Sequence, residues 1–300
     1  MNRSYRSLLP QCCNTQSVRS SAAGMQGRAR GLGRDMGLTR SEGPLSPHPP
    51  ATVNYAIDGP AHKLFAHPFP RRIRAEFAGR TVVDTRAGML VHETALLPVL
   101  YVPFADVDAD ALVPTAHHTH CPFKGDASYH SLVVGDRTAE NAVWSYPEPL
   151  AAAPWLAGHA AFYWDVMDAW YDEDEQVFAH LADPYTRVDV RPTSRHVVVR
   201  RGDTVLAESH SPTVLSETGL ANRWYLPRDA VRVPLSPSDT RSRCPYKGEA
   251  RYWSATLADG TELTDAAWEY ETPLPESARV AGLLSFWGDG VEVLVDGEPA

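Results

Sequence analysis

Apolar positions along this chain alternate at short range, and turn residues cut them into strand-sized pieces. Residues 196–200, then Gly202-Asp203, then residues 204–207 read as strand, turn and strand. Residues 72–77, Ala78-Gly79 and residues 81–83 repeat that plan further upstream. Residues 251–257, a turn containing Asp259-Gly260, and Glu262-Leu263 predict a second kind of hairpin. Residues 291–295, after Gly288-Asp289-Gly290, predict a closing strand. Helical expectations are few and short: residues 142–146 and 266–270, each ending near a proline, and residues 150–158 and 275–284. Twenty-five prolines argue against longer helices. The longest apolar run, residues 95–105, contains two prolines and is too short to cross a membrane.

The pattern occurs twice. Cys121-Pro122-Phe123-Lys124-Gly125-Asp126-Ala127-Ser128-Tyr129 and Cys244-Pro245-Tyr246-Lys247-Gly248-Glu249-Ala250-Arg251-Tyr252 agree at six of nine positions. At nearly the same offset Glu93-Thr94 meets Glu217-Thr218, and Tyr101-Val102-Pro103 meets Tyr225-Leu226-Pro227. Ala142-Val143-Trp144-Ser145-Tyr146 meets Ala266-Ala267-Trp268-Glu269-Tyr270, and Tyr163-Trp164 is matched with Phe286-Trp287. Order is kept over most of each copy, so the chain reads as a tandem duplication with units at 60–172 and 185–300. Two copies of this size predict two globular domains packed as an intramolecular pseudo-dimer, not a solenoid. Between them, 173–184 reads as an acidic linker around Asp172-Glu173-Asp174-Glu175, a solvated run without the glycine and ligand spacing of a calcium loop.

Charge divides the 300-residue chain further. The net charge is −9. Residues 1–50 hold seven Arg against Asp35 and Glu42, a sum of 7 − 2 = +5, which leaves −14 for the remainder. Residues 1–55 have no apolar periodicity and read as a disordered tail, or as the product of a start placed too far upstream, with Met25 and Met36 as later starts. An apolar secretory segment is not seen there. The acidic body disfavours nucleic acid as a partner. Cys12 and Cys13 fall in the tail, and Cys121 and Cys244 lie far apart. This spacing suggests neither a zinc knuckle nor a disulfide framework, and the expected compartment is the cytoplasm.

The residues that recur with useful chemistry are Glu93, Tyr101, Cys121, Lys124, Trp144 and Tyr146, matched by Glu217, Tyr225, Cys244, Lys247, Trp268 and Tyr270. A lysine three residues after a cysteine can turn the thiol into a nucleophile; the plain alternative is a buried, inert cysteine beside a turn. Each Glu lies in an apolar stretch, where it can bind a polar ligand or form a structural ion pair with the lysine of its own copy, Arg72 and Arg195 being further candidate partners. The indoles and phenols can line a pocket or simply fill a core. His117, His118 and His120 have no counterpart set in the second copy, so no metal is expected, nor any other cofactor. His92-Glu93 lacks the second histidine of a zinc-peptidase motif, because Leu96 stands in its place.

Leu206, Glu217, Tyr225, Pro227, Ser238, Ser242, Cys244, Lys247, Tyr252, Trp268, Tyr270 and Phe286 together resemble the domain of unknown function 427 family, in tandem form. The resemblance implies a mainly β architecture: two small β-rich domains of the β-tent type, an architecture whose relatives include zinc-site proteins and small-ligand pockets. It also brings a nucleotidyltransferase-like label, for which the sequence shows no matching chemistry. The first copy departs from the pattern at Thr115-Ala116-His117-His118-Thr119-His120 and at His130, where the second has Trp253. The functional expectation is a small-molecule-binding protein with one aromatic, Glu/Lys/Cys-containing pocket per copy. The alternatives are an enzyme using that Cys or Glu and a protein-interaction module.

Overall fold

The computed structural model describes residues 38–39, 43–46, 54 and 59–300. Most of the expected tail, with its two cysteines and candidate starts, lies outside the described residues. Within it, Thr39 and Ser46 are buried. The Ala95 amide donates to the Thr39 carbonyl at 2.8 Å, and the Thr94 hydroxyl donates to the Leu45 carbonyl at 3.2 Å.

The fold is mainly β, in two compact units that divide at Gln176/Val177. The first contains β1 (Leu64–Pro68), β2 (Ile73–Phe77), β3 (Arg80–Thr85), β4 (Met89–Glu93), β5 (Val99–Pro103), β6 (Leu112–Cys121), β7 (Gly125–Val134), β8 (Arg137–Ser145), β9 (His159–Phe162), β10 (Ala169–Asp172) and β11 (Glu175–Val177). Its large sheet has the order β1-β4-β5-β9-β8-β7-β6, and its small sheet β11-β10-β2-β3. The second unit contains β12 (Val188–Pro192), β13 (Val197–Arg201), β14 (Thr204–Ser209), β15 (Thr213–Glu217), β16 (Arg223–Tyr225), β17 (Leu235–Cys244), β18 (Gly248–Thr256), β19 (Glu262–Tyr270), β20 (Leu284–Phe286), β21 (Val291–Val295) and β22 (Glu298–Pro299). Its strands follow the same order: β12-β15-β16, then β20-β19-β18-β17, joined where Leu226 and Leu284 exchange hydrogen bonds of 2.8 and 2.9 Å. The small sheet, β14-β13-β21-β22, again matches.

Alternation along each strand sends successive side chains to opposite faces. In the second unit Trp224, Leu226, Ala267, Leu284 and Phe286 of the large sheet meet Val197, Val199, Leu206 and Val295 of the small one. Their neighbours Tyr225, Leu215, Ala250 and Tyr270 point to the other, outer face, where they pack with Val190 and Val280. The first unit builds an equivalent outer cluster from Val91, Tyr101, Cys121, Ala127, Tyr129 and Tyr146, closed by Ala153 and Leu156.

The predicted hairpins β2–β3, β13–β14 and β18–β19 and the closing strand β21 all form. Four expectations are corrected. Residues 142–146 and 266–270 are not helical: they lie in the ends of β8 and β19, because five residues ahead of a proline gain more from two neighbouring strands than from one helical turn. The other two helical segments shrink to 3-10 turns, Pro154–Leu156 and Pro275–Val280. The acidic run is the β10–β11 hairpin turn: Asp172 pairs with Arg71 at 2.6 Å, Glu173 accepts from the Arg72 amide at 2.9 Å, and Asp174 pairs with Arg74 at 3.1 Å. Glu173 at φ +53° is the counterpart of Asp296 at φ +52°. Finally, Val143 opposite Phe162 and Ala267 opposite Phe286 shift one match by a residue: Phe162-Tyr163, not Tyr163-Trp164, corresponds to Phe286-Trp287.

Candidate functional site

The turn after β6 and the turn after β17 are built alike. The Lys124 amide donates to the Cys121 carbonyl at 3.3 Å, and the Lys247 amide to the Cys244 carbonyl at 3.3 Å. The next residue must turn the chain back with positive φ, +105° at Gly125 and +95° at Gly248. That φ requires glycine in both, and in the first a Cβ would also stand a tight 3.3 Å from the Glu148 carbonyl oxygen, whereas in the second it would meet that of Thr272 at an ordinary 3.4 Å.

Each turn delivers its lysine onto a glutamate from a strand far along the sheet order. Lys124 Nζ donates to Glu93 Oε1, and Lys247 Nζ to Glu217 Oε2. Because β4 and β15 lie next to one end of the large sheet and these turns at the other, the ion pair clasps a curled sheet across its outer face. Bulges make the curl possible. The register slips between Pro114 and His118 and between Pro237 and Arg241, and again opposite Asn141 (φ +51°) and Asp265 (φ +54°). The two bulge amides donate to Ser131 and Ser254 hydroxyls at 3.1 and 3.2 Å.

Under each clasp lies the same aromatic pair. Trp144 Nε1 donates to Tyr101 Oη at 3.2 Å and Trp268 Nε1 to Tyr225 Oη at 3.3 Å, with ring centroids 6.4 Å apart, edge to face, in both. Lys124 Nζ lies 5.6 Å from the Tyr146 ring centroid. Burial opposes the Lys124 charge, but the nearby Tyr101, Glu93 and Cys121 outweigh it, so its pKa rises. Burial pushes the Tyr225 and Tyr270 phenols up, with Cys244 and Glu217 among the charges felt by both. The twelve recurring residues therefore assemble into two sets of six, one per unit.

The sets differ in exposure. Side-chain exposure is 3% and 4% for Glu93 and Lys124, against 10% and 12% for Glu217 and Lys247. Cys121 is buried and Cys244 half-buried; both are free thiols. In the first unit His62 Nε2 lies 3.4 Å from Glu93 and its ring stacks on Phe123 at 3.8 Å. In the second, the residue matching Phe123 is Tyr246, whose hydroxyl accepts from the Asp183 amide at 2.7 Å; burial pushes its pKa up to about 12.

Other candidates stand apart. Arg72 and Arg195 pair with Asp84 at 2.7 Å and Asp296 at 2.6 Å on the small sheets, not with Glu93 or Glu217. His117 packs on the Tyr129 ring at 4.5 Å and His120 pairs with Asp126 at 2.6 Å. Among the described residues no group of three or more His, Cys, Asp or Glu is placed to hold a metal ion.

Two features escaped the sequence reading. One is Arg223, whose guanidinium lies 5.7 Å from the centroid of the exposed Trp287 ring. The other is the buried Glu269, which faces the inter-sheet core. Arg251 Nε lies 2.7 Å from it, Arg228 Nη2 3.1 Å, and Trp253 Nε1 donates at 3.1 Å. Both guanidiniums flank Trp253, at 4.2 and 4.6 Å. In the first unit these places hold Ser145, Ser128, Phe104 and His130; His130 packs on the Phe104 ring, its buried Nδ1 has no hydrogen-bond partner among the described residues, and burial lowers its pKa. Only a comparison of the copies position by position, after register is known, signals either feature.

A family model described as a domain of unknown function (DUF427), whose short name is of the nucleotidyltransferase type, matches residues 65–173 and again 189–297. No curated protein matches the chain.

Proposed function

The chain belongs to the domain of unknown function 427 family, in tandem form, and on that premise we propose that it binds a small molecule on the outer face of its large sheets, chiefly in the second unit. One observation carries this reading. The same hydrogen-bonded and ion-paired set is built twice beside a half-buried indole, and in the second unit the ion pair keeps more solvent exposure than in the first. An indole face beside a lysine–carboxylate pair offers a flat apolar surface and both signs of charge, the usual composition of a small-ligand site. In the first unit His62 and Phe123 lie over the pair, which makes that copy the poorer receptor.

Native mass spectrometry of freshly purified protein, before and after denaturation, tests this without a guess at the ligand. The expected result is a copurifying mass that is released on denaturation and absent from Trp268→Ala and Glu217→Gln. A ligand retained by both variants would move the site elsewhere. A covalent role for Cys244, half-buried on the same turn as Lys247, is the second reading; unchanged turnover of any substrate found, in Cys244→Ser, would remove it.

A further inference from the structure

We infer that the second unit's site takes a planar ring bearing an oxyanion, carboxylate or phosphate, with Arg223 reading the anion and Trp268 the ring. This rests on the preceding reading and deepens it. The inference comes from a difference between two otherwise matched faces. In the first unit the Tyr163 ring packs against Trp144, centroids 5.0 Å apart and planes tilted by 48°. In the second unit the residue in that place is Trp287, and it is engaged differently. Extending the Leu226–Leu284 pairing by three residues sets Arg223 opposite Trp287, with the guanidinium over the indole. Among the described residues, Trp268 then has no ring neighbour apart from Tyr225. It is half-buried, packed against the outer cluster.

Arg223 is set apart by the combination of two features. Among the described residues it has no carboxylate partner, as Arg201, Arg232, Arg241 and Arg279 of the same unit also have none, but of these five only Arg223 lies over an aromatic ring. A guanidinium over an indole, with no carboxylate to hold it, offers a planar N–H fork matched to carboxylate or phosphate oxygens. It lies near the site: Arg223 is two residues from Tyr225 on the same strand face, and its charge counters the rise of the Tyr225 pKa. The first unit has Val99 in this place and so lacks the anion-reading group.

The test is titration of the full chain with phenylacetate, phenyl phosphate and the neutral phenylacetamide, followed by saturation-transfer NMR. The expected result is that at least one anion binds roughly tenfold more tightly than the amide, the size of one charge-assisted contact. Which anion wins distinguishes carboxylate from phosphate. Arg223→Gln removes that preference, Arg223→Lys keeps part of it, Trp268→Ala weakens all three probes, and Tyr163→Ala, in the first unit, changes none. Equal binding of anion and amide, unaffected by Arg223→Gln, would overturn the anion assignment while leaving a pocket in place. Binding that survives Trp268→Ala but falls in Tyr163→Ala would place the ligand on the first unit and overturn both. Absence of binding by all three probes to the parent chain would overturn the ligand class, and the copurification experiment would then decide the pocket separately.

Discussion

At the scale of single residues, the Glu–Lys clasp combines a risk with a purpose. Two charges removed from water lose solvation that only close pairing restores, so taking away one partner is much worse than never having had either. Glu93 and Lys124 are almost fully sealed, and Glu217 and Lys247 less so. Lys124→Met, which strands Glu93, is therefore expected to cost about 3–5 kcal/mol. Lys247→Met, whose orphaned carboxylate can still reach water, should cost about 1.5–3 kcal/mol. Denaturant midpoints of the two variants, and recovery in the double variant Glu93→Leu/Lys124→Met, measure this. The pH dependence has a definite sign. The folded Lys124 pKa is raised, so its contribution is complete below the unfolded lysine value of about 10.4 and is lost only as pH rises through the higher folded value. The cost of Lys124→Met should thus be flat between pH 7 and 9; a cost that shrinks over that interval would contradict the assigned direction.

At the scale of elements, the two Cys–Pro–aromatic–Lys–Gly turns aim the lysines, and their glycines are not equivalent to other turn glycines. Gly202, in the β13–β14 turn, has φ +56° with open space around the position of a Cβ. Gly248 combines φ +95° with a carbonyl oxygen at 3.4 Å. Gly202→Ala is expected to cost about 1 kcal/mol, and Gly248→Ala about 1–3 kcal/mol, with loss of the Lys247–Glu217 contact in the second case alone. Thermal melts together with the Lys247 side-chain NMR signal would separate the two; equal costs would mean that the turn has slack. Elements of this kind were the most legible part of the sequence. Turn dipeptides marked the hairpins, and recurrence of Glu, Lys, Cys and the aromatics marked the twelve site residues. Residues 142–146 were misread because five residues do not distinguish a helical turn from a strand end. Arg223, Trp287 and Glu269 were missed because their meaning depends on which residue stands across the sheet, and a bulge or a one-residue shift changes that without leaving a periodic signal. The tail contacts at Thr39 and Leu45 were invisible for the same reason: their partners are the Ala95 amide and the Thr94 hydroxyl.

At the scale of the whole molecule, duplication yields two units that each own a complete core. Every residue of the second unit's inter-sheet cluster, from Val197 to Val295, and of its outer cluster, from Val190 to Val280, comes from that unit. Its clasp, its aromatic pair, Arg223 and Trp287 are likewise internal. A chain of this size buries enough surface to fold alone. Residues 177–300 expressed separately should therefore unfold in one cooperative step, with tryptophan fluorescence and far-ultraviolet circular dichroism giving the same midpoint. The isolated unit should also keep the parent's preference among the three ring probes. Non-coincident transitions, or a probe preference that disappears on separation, would mean that the second unit needs the first to complete its structure or its site. If instead the unit stands alone, the two copies are free to differ in chemistry without a shared penalty: a sealed clasp under His62 and Phe123 in one, and in the other a more exposed clasp with Arg223 held over Trp287.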